Sequence, residues 1–278
     1  MGYKFSLIMA TFGRKEVVEQ LIISLLRQTY KYFVLIVLDQ NEDDRVYNIF
    51  KKFNKQIQIK YIKSQKKGLS ANRNIGLQFA DGDIIAFPDD DCEYKPDTLE
   101  FINNYFLNNN YSILTINFED KFSGKYQYSV CKKNITLHNF TKIACSITIF
   151  TRSDAIKNIY FDEKLGVGSV FGSREETDFL CYLLLKKSLN GFFDGTYSIY
   201  HRILTSNFSK KNPSYGASGL GAFHKKLIIY YKYYRLLPGF FLLLIKNIIA
   251  LLLMPQKKYF YETLKGKIQG FFNYKNIG

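Results

Sequence analysis

Apolar residues in the first hundred positions form two kinds of pattern that alternate along the chain. Short apolar or alternating runs predict strands at residues 5–10, 33–38, 56–62 and 83–87. Apolar residues at helical spacing predict helices at residues 17–26, 43–53 and 69–80. Strands that alternate with helices are typical of a mainly parallel α/β sheet covered by helices on both faces. Ligands of such sheets bind beyond the carboxyl ends of the strands, so we expect the chemistry to lie there.

The patterns after residue 110 are less regular. Residues 111–150 are mostly strand-like and predict an extension that makes the sheet mixed, and residues 174–189 predict a helix. Residues 205–222 are rich in Ser, Asn and Gly, and we expect them to form a flexible loop. Residues 223–278 predict a helical tail that is both basic and apolar. We therefore expect a main α/β domain of residues 1–204 that ends at this loop.

The tail contains a long apolar stretch at residues 236–254, which approaches the length of a membrane span. Pro238 and Lys246 interrupt it, and basic residues flank it on both sides. Basic residues collect on the cytoplasmic side of a membrane, so flanks of this kind argue against a simple crossing. A helix that lies in the plane of the membrane surface fits the pattern better. A buried core helix is the alternative.

The charge of the chain supports a membrane surface as one partner. The 278 residues carry a formal net charge of +15, which attracts nucleotide phosphates, nucleic acid or an anionic membrane. A large share of the Lys and Arg residues lies after residue 200 beside apolar residues, and this favours the membrane. The four cysteines form no CxxC pair, so we expect reduced structural thiols in a cytoplasmic protein and no zinc site. The first predicted strand follows Met1 almost at once, so no signal peptide is expected.

Polar side chains follow three of the predicted strands, at Thr11–Arg14, Asp39–Asn41 and Asp89–Asp91. In a parallel sheet these three segments converge at one edge. Adjacent carboxylates repel one another unless a cation compensates them, and a divalent ion that also contacts a diphosphate would do so. The alternative for the Asp triplet is a solvated acidic turn.

Three further residues near this edge have two interpretations each. Asp39 could accept a hydrogen bond from a nucleotide or could be an ordinary turn residue. Arg14 and Arg73 could bind a diphosphate through their planar guanidinium groups, or could be surface charges.

A second acidic cluster opens the helix predicted at residues 174–189 and contains Glu175, Glu176 and Asp178. Acidic residues are common in the first turn of a helix, where they complement the helix dipole. A carboxylate there could also act as a general base. His201 is a further candidate, although a lone His is more often structural. The glycines of residues 215–222 could hinge a lid or belong to an ordinary connector.

Several segments resemble the motifs of the family 2 glycosyltransferases in order and spacing. In the first third of the chain these are TFGR at residues 11–14, GLSANRNIG at residues 68–76 and ADGDIIAFPDDD at residues 80–91. FGSREETDFL at residues 171–180 resembles the segment that supplies the family's catalytic base. YGASGLGA at residues 215–222 resembles a stretch of a polysaccharide-synthesising branch. Two departures are Gly13, where Asn is usual, and Asn72, which separates Ala71 from Arg73.

The resemblance implies a GT-A fold, a nucleoside-diphosphate sugar of the UDP type and a divalent Mn²⁺ or Mg²⁺ ion. It implies transfer with inversion to a hydroxyl of a glycan or lipid-linked acceptor. The residues that match donor-binding positions are Thr11, Phe12, Arg14, Asp39, Arg73, Asp89 and Asp90. Asp91 and Asp89 match the metal ligands. Glu176 matches the base, Glu175 and Asp178 replace it if the register differs, and His201 is expected near the diphosphate.

The resemblance also assigns residues 1–110 to the donor half of the domain and residues 111–204 to the acceptor half. Together with the tail, it predicts a bacterial enzyme of cell-surface polysaccharide synthesis on the cytoplasmic face of the inner membrane. Nucleic acid is not an expected partner, and a homodimer stays open. Two alternative functions are a nucleotidyltransferase, which would usually carry a glycine-rich basic loop after its first strand, and a non-catalytic basic protein that binds membranes or nucleic acid.

Overall fold

The computed structural model describes residues 2–143, 145–203 and 212–275. Its strands in these ranges are β1 Phe5–Thr11, β2 Phe33–Asp39, β3 Ile59–Lys63, β4 Ile84–Ala86, β5 Cys92–Glu93, β6 Ile113–Glu119, β7 Lys132–Ile135, β8 Ile149–Arg152 and β9 Gly191–His201. Its α-helices are α1 Glu16–Leu26, α2 Tyr47–Phe53, α3 Leu69–Leu77, α4 Thr98–Asn108, α5 Glu175–Leu185, α6 Pro213–Lys225, α7 Leu237–Leu253 and α8 Lys257–Asn273.

Contacts divide the chain into two compact units. The sheet unit contains residues 2–67, 71–160 and 179–203. The helical unit contains residues 68–70 and 161–178 together with the described residues from 212 onward. The division into functional halves expected from the sequence stays a prediction.

All the strands named above belong to the sheet unit and form one mixed sheet in the order β3-β2-β1-β4-β8-β6-β9-β5, with β7 paired to β9. The pairs β1–β2, β1–β4, β2–β3 and β6–β9 are parallel, whereas β8 runs antiparallel to β4 and β6. The register places Thr11 at the end of β1 opposite Asp39 at the end of β2. The mixed, mainly parallel α/β sheet predicted from the sequence is confirmed.

Continuous apolar runs form the centre of the sheet unit. β1, β2 and β6 are buried along their whole lengths, as expected of strands that are covered on both faces. Their side chains pack with those of α1 and α4 in one hydrophobic core. α2 begins at Tyr47 and not at residue 43, because Asp43 accepts hydrogen bonds from the backbone and side chain of Arg45 in a bend.

The prediction of a flexible loop at residues 205–222 is wrong where the structure describes it. Residues 205–211 lie outside the described residues, and Pro213–Lys225 form α6. Asn212 caps this helix, because its side chain accepts a hydrogen bond from the backbone N–H of Tyr215 at 3.1 Å. Pro213 suits the first turn, where its missing N–H has no intrahelical partner to lose.

The glycines of α6 allow close helix packing and do not form a hinge. A Cβ added at Gly221 would lie 2.0 Å from the carbonyl oxygen of Lys267 in α8. One added at Gly270 of α8 would lie 1.9 Å from the carbonyl oxygen of Ser218. Only glycine permits backbones to approach so closely, so the composition that suggested mobility instead holds α6 against α8.

The predicted helical tail contains α7 and α8. Pro238 lies in the first turn of α7, so it begins this helix and does not interrupt it. Phe240 is the one buried residue of α7, so α7 is not a buried core helix in this structure. The stretch Tyr234–Leu253 is long and apolar enough to cross a membrane by length and composition, and 6% of its most apolar window is buried.

Candidate active site

The Asp triplet, Asp89–Asp91, follows the carboxyl end of β4 and meets residues that end and follow β1. Thr11 Oγ1 donates a hydrogen bond to Asp90 Oδ2 at 2.6 Å. The Arg14 guanidinium lies 2.7 Å from Asp90 Oδ1 and 2.5 Å from Asp91 Oδ2. The parallel pairing of β1 with β4 brings these segments together, so the structure places Thr11 and Arg14 at the triplet.

Arg73 is a buried residue and not a surface charge, with 1% of its surface exposed. Its Nη2 donates to Asp89 Oδ1 at 2.8 Å and to Ser146 Oγ at 2.9 Å. Arg73 lies on α3, which packs closely on β1 because Gly76 has no side chain: a Cβ there would lie 2.3 Å from Cγ2 of Ile8. Two arginines from different segments of the chain therefore offset part of the negative charge of the Asp triplet.

His201, the last residue of β9, reaches the same site. β5 directly follows the Asp triplet and pairs with the end of β9, with Cys92 opposite His201. This pairing places His201 Nε2 at 3.3 Å from Asp91 Oδ1. Ligand atoms of Asp89, Asp91 and His201 all lie within 4.8 Å of one another, so they form a group that could hold one metal ion.

The chemistry of these three donors fits a divalent cation. Carboxylate oxygens suit both Mg²⁺ and Mn²⁺, and an imidazole nitrogen is a ligand for transition metals, so these donors are compatible with Mn²⁺. Ligation would replace the Asp91–His201 contact and requires an unprotonated Nε2. The Nδ1 atom of His201 is buried and has no hydrogen-bond partner among the described residues. The usual outer partner of a metal-bound His is thus not found in this part of the chain.

The pKa values of Asp90 and Asp91 are shifted in opposite directions. Burial raises the pKa of Asp90 to about 6, although the charge of Arg14 and the hydrogen bond from Thr11 oppose this. Burial also acts on Asp91, but the hydrogen bond from His201 and the charges of His201 and Arg14 lower the pKa of Asp91 below its usual value. Burial disfavours the His201 cation, yet the hydrogen bond and charge of Asp91 raise the pKa of His201. Asp91 is therefore the more readily ionised carboxylate of the two.

Asp39, at the end of β2, is fully buried and already hydrogen-bonded. Its Oδ1 accepts from the backbone and side-chain nitrogens of Asn41 at 2.9 and 2.7 Å. Its Oδ2 accepts from the Tyr61 hydroxyl and from Lys63 Nζ, the latter at 3.4 Å. Asn41 Oδ1 accepts in turn from the Gly13 N–H at 2.7 Å. Asp39 therefore orders the loop after β1, and a direct contact with a nucleotide would replace one of these bonds.

Phe12 presents a flat ring beside this loop, with 60% of its surface exposed. Lys67 Nζ lies 4.9 Å from the centroid of the ring and donates to the Gln40 carbonyl oxygen at 3.2 Å. An exposed aromatic ring beside a cation can bind a nucleobase and a phosphate together.

The second acidic cluster, Glu175–Asp178, lies in the helical unit at the start of α5. Asp178 is buried, and it accepts hydrogen bonds from Lys226 Nζ at 2.7 Å and from the Tyr231 hydroxyl at 2.9 Å. Glu175 is also buried. Glu176 is half-buried, and among the described residues its carboxylate accepts one hydrogen bond, from Thr177 Oγ1 at 3.3 Å. The three carboxylates thus have three different environments.

Comparison with known proteins decides the family. Residues 6–169, more than half of the chain, match the family described as Glycosyl transferase family 2. The chain belongs to this family. Family 2 membership supports a glycosyltransferase over the nucleotidyltransferase and the non-catalytic binding protein.

Bacterial relatives match this family 2 glycosyltransferase over different lengths. The minor teichoic acid biosynthesis protein GgaB of Bacillus subtilis is 30% identical over 185 residues, which are 60% of this chain and 20% of GgaB. The UDP-Glc:alpha-D-GlcNAc-diphosphoundecaprenol beta-1,3-glucosyltransferase WfgD of Escherichia coli is 27% identical over 220 residues, which are 75% of this chain and 82% of WfgD. The chain spans 20% to 35% of the length of the first three curated relatives it matches.

Solved structures share the GT-A fold of this glycosyltransferase. TarS 1-349 of S. aureus in complex with UDP-GlcNAc has a TM-score of 0.65 and 18% identity, over 98% of this chain and 73% of that one. The mannosyltransferase PcManGT of Pyrobaculum calidifontis in complex with GDP-Man and Mn2+ has a TM-score of 0.66 and 10% identity, over 99% of this chain and 89% of that one. At these identities the likeness shows the fold alone.

Sequence analysis of this glycosyltransferase missed three residues near its site. Lys63 could have been predicted from the order of the strands, because the pairing of β2 with β3 places it opposite Asp39. No sequence pattern marks Lys67 or Ser146. Lys67 contacts Gln40 and Phe12, and Ser146 contacts Arg73, and these residues are distant in the sequence. His201 was expected near the diphosphate but not beside Asp89 and Asp91, because β5, which brings it there, is only two residues long.

Proposed function

We propose that this chain is a metal-dependent, inverting glycosyltransferase that moves a sugar from a UDP-type nucleotide sugar to a hydroxyl of a glycan or lipid-linked acceptor. The convergence of Asp89, Asp91 and His201 beside Arg14 and Arg73 carries this proposal. A nucleotide sugar presents a diphosphate, and a cation site with adjacent guanidinium groups matches its charge and its planar oxygen pairs.

Each residue at the ends of the strands has a proposed task toward the donor. A divalent ion held by Asp89, Asp91 and His201 would neutralise charge on the departing diphosphate. Arg14, whose side chain is 46% exposed, can turn from Asp91 to a phosphate oxygen. Thr11 orients Asp90 toward hydroxyls of the ribose or the sugar.

Three other residues at this edge have proposed tasks toward the diphosphate and the nucleoside. Arg73 lies near the diphosphate, where its bond to Asp89 also orients that carboxylate. Phe12 and Asp39 form the nucleoside end of the site, with Phe12 as a stacking surface and Asp39 as an acceptor.

Glu176 is the proposed base. Its half-buried carboxylate has one weak partner, whereas Asp178 is engaged in an ion pair and Glu175 is buried, and this difference supports Glu176 among the three. It takes the proton of the acceptor hydroxyl as that oxygen bonds to the anomeric carbon. The bond from this carbon to the diphosphate breaks at the same time, and its electron pair leaves with the diphosphate. One displacement of this kind inverts the anomeric configuration.

The names of the relatives support the classes of donor and acceptor. WfgD is named for a UDP-Glc donor and a diphosphoundecaprenol acceptor, and GgaB for teichoic acid biosynthesis. TarS binds UDP-GlcNAc in its complex, whereas PcManGT binds GDP-Man. A UDP-sugar and a lipid-linked or cell-surface glycan are therefore our choice for this chain.

A donor screen tests the catalytic proposal. Because a ligand that binds only the folded state raises the unfolding midpoint, thermal shifts with UDP- and GDP-sugars should identify the donor. We expect a shift with a UDP-sugar that requires Mn²⁺ and that EDTA removes. Anomeric analysis of the product by NMR should show inversion. Shifts that are equal with and without metal, or retention of configuration, would contradict the proposal.

We also propose that α7 attaches the enzyme to the cytoplasmic face of a bacterial membrane. Its exposed apolar side chains support this, and they include Phe241, Leu242, Ile245, Ile249, Leu252 and Leu253. Lysines before and after this helix would contact anionic lipid headgroups.

Vesicle flotation tests the membrane proposal. A triple variant with Ile249→Ser, Leu252→Ser and Leu253→Ser should no longer float with phosphatidylglycerol vesicles, and its melting temperature should be unchanged. Ser at Leu107, an exposed residue of α4, is the control and should float like the wild type. Flotation of the triple variant would refute this role of α7. Truncation before α7 is a poorer test, because it also removes α8, which packs on α6.

A further inference from the structure

Residues 164–174 form a tight loop that leads into α5 and the second acidic cluster. The Gly166 N–H donates to the Phe171 carbonyl oxygen, and the Phe171 N–H donates to that of Lys164, both at 2.8 Å. The backbone has positive φ angles at Gly166, Gly168 and Arg174, of +104°, +79° and +77°. Arg174 directly precedes α5, and a non-glycine residue keeps such a conformation only where its surroundings impose it.

Tyr215 of α6 imposes the shape of this loop. Its hydroxyl accepts a hydrogen bond from the Gly168 N–H and donates one to the Ser169 carbonyl oxygen, both at 2.9 Å. Its ring lies on Gly172, where an added Cβ would come within 2.4 Å of two ring carbons. One side chain therefore fixes the loop at its turn and again two residues before Arg174.

Neighbouring contacts fix the loop to the backbone of α6. Ser173 Oγ donates to the Gly216 carbonyl oxygen at 2.7 Å. A Cβ added at Gly219 would lie 2.3 Å from the Ser173 carbonyl oxygen, so the two segments touch through their backbones. Because α8 in turn supports α6, Tyr215 projects from a rigid helix.

The start of α5 is thus held at two points. The loop before it is held by Tyr215, and Asp178 within it is held by Lys226, whose Nζ lies 2.7 Å from both Asp178 and Asp162. Glu176 lies between these points and has only the Thr177 contact as a described partner of its own. The position of the Glu176 carboxylate therefore depends on the backbone that the two points hold.

We propose that Tyr215 is a positioning residue for Glu176, a role that rests on the proposed function of Glu176 as the base. A displacement of about 1 Å at a reacting group can cost on the order of 10²-fold in rate. Tyr215→Phe keeps the ring on Gly172 but removes the hydrogen bonds of the hydroxyl with Gly168, Ser169 and Gly166. We expect kcat to fall by about 10- to 100-fold while the KM for the donor stays within about twofold, because only the placement of the base changes.

A double-mutant cycle provides the sharpest test. Tyr215→Phe should lower kcat in the wild-type background and have no further effect on the residual rate of Glu176→Gln, because both act on the same step. Ser173→Ala, which removes the bond to Gly216, should give a smaller loss of the same kind. Tyr234→Phe is the matched control, since Tyr234 is 58% exposed, and it should leave all values unchanged.

Hydrogen exchange of the full-length protein tests the placement without any assay of activity. Tyr215→Phe should speed exchange of the amides in residues 166–178 at an unchanged melting temperature, and Tyr234→Phe should not. An unchanged kcat in Tyr215→Phe, an equal loss in the Glu176→Gln background, or unchanged exchange would each overturn the proposal. If Glu176→Gln keeps the wild-type rate while exchange changes as expected, the base assignment fails and the fixing of the loop by Tyr215 stands.

Discussion

The two acidic clusters of this glycosyltransferase hold their carboxylates in opposite ways. Asp89–Asp91 in the sheet unit face two arginines and His201, and two of the three carboxylates direct ligand atoms toward one point. The carboxylates of Glu175–Asp178 in the helical unit lie in the first turn of one helix and have separate environments. One is buried, one is half-buried with a single weak partner, and one is enclosed in an ion pair with Lys226.

This difference shows that the surroundings of an acidic residue decide its chemistry. Carboxylates that share cations and converge can hold a metal ion, whereas carboxylates that are kept apart can take separate roles. The convergent cluster needs partners from distant segments, such as Arg14 and His201. The cluster at the start of α5 lies on one helix, and the contacts that hold this helix keep its carboxylates in place.

The largest effect is expected from Asp91→Asn in the convergent cluster. Asp91 contacts both Arg14 and His201. The change therefore removes a metal ligand and also the negative charge that faces these two side chains. Transfer should fall by ~10³-fold or more, because metal stabilisation of a leaving group is worth several kcal/mol. Binding of the donor in Mn²⁺, measured by calorimetry, should weaken as well. Asp81→Asn, at an exposed carboxylate of the sheet unit, is the control. Full activity of Asp91→Asn would contradict a role of the metal in the mechanism.

Glu176→Gln should affect rate but not donor binding, which separates the two clusters. Gln keeps the size of the side chain but cannot accept the proton, and loss of general-base help costs ~10²–10⁴-fold in kcat. The dissociation constant of the donor should stay within about twofold, since the interaction operates only in the transition state. Transfer assays and calorimetry measure the two quantities, with Glu16→Gln, at an exposed residue of α1, as the control. A near-normal kcat would remove Glu176 as the base.

Asp178→Asn should affect stability more than chemistry. Breaking a buried ion pair typically costs ~3–5 kcal/mol, and we expect the lower end because Asp162 remains paired with Lys226. Unfolding by urea should show this loss, while kcat per folded molecule falls by about 10-fold at most, because Tyr215 still holds the loop before α5 and Glu176 keeps its carboxylate. A collapse of kcat at full stability would move the base from Glu176 to Asp178.

Local sequence patterns were sufficient for the elements that position the site. The buried strands β1 and β2 are continuous apolar runs, and the Asp triplet directly follows the fourth predicted strand. Because parallel strands end at the same edge, Thr11, Arg14 and the triplet could be brought together before any coordinates were known. That step needs only the direction of each strand.

The contacts that complete the site could not be predicted in this way. His201 joins Asp91 through pairing of the short β5 with β9, which no local pattern marks. The glycines of α6 were assigned to a flexible loop, either a lid hinge or an ordinary connector, because composition alone does not distinguish a flexible glycine from one that lets two helices touch. The ion pair of Asp178, the alternative base, with Lys226 joins residues 48 positions apart, and no local pattern marks it.

The histidines of the two units extend the comparison and give the smallest expected effect. His224 of α6 is 7% exposed, stacks on Phe240 at 4.5 Å and makes a hydrogen bond through Nδ1 to the Leu220 carbonyl oxygen at 2.8 Å. Burial lowers the pKa of His224 to about 4, and the charges of Arg174 and Lys267 act in the same direction. His201, which faces Asp91, has its pKa raised instead.

A depressed pKa of a histidine makes the protein less stable in acid. The unfolded chain binds the proton near pH 6.5 and the folded chain only near pH 4, so stability rises with pH across this window and is complete above it. Between pH 7.5 and pH 5 the wild type should lose ~2 kcal/mol of unfolding free energy more than His224→Gln, which cannot titrate there. Urea unfolding of both proteins, followed by circular dichroism at the two pH values, measures this difference. Equal losses in the two proteins would mean that His224 titrates normally, and the apolar surroundings that distinguish it from His201 would then have no effect on its charge.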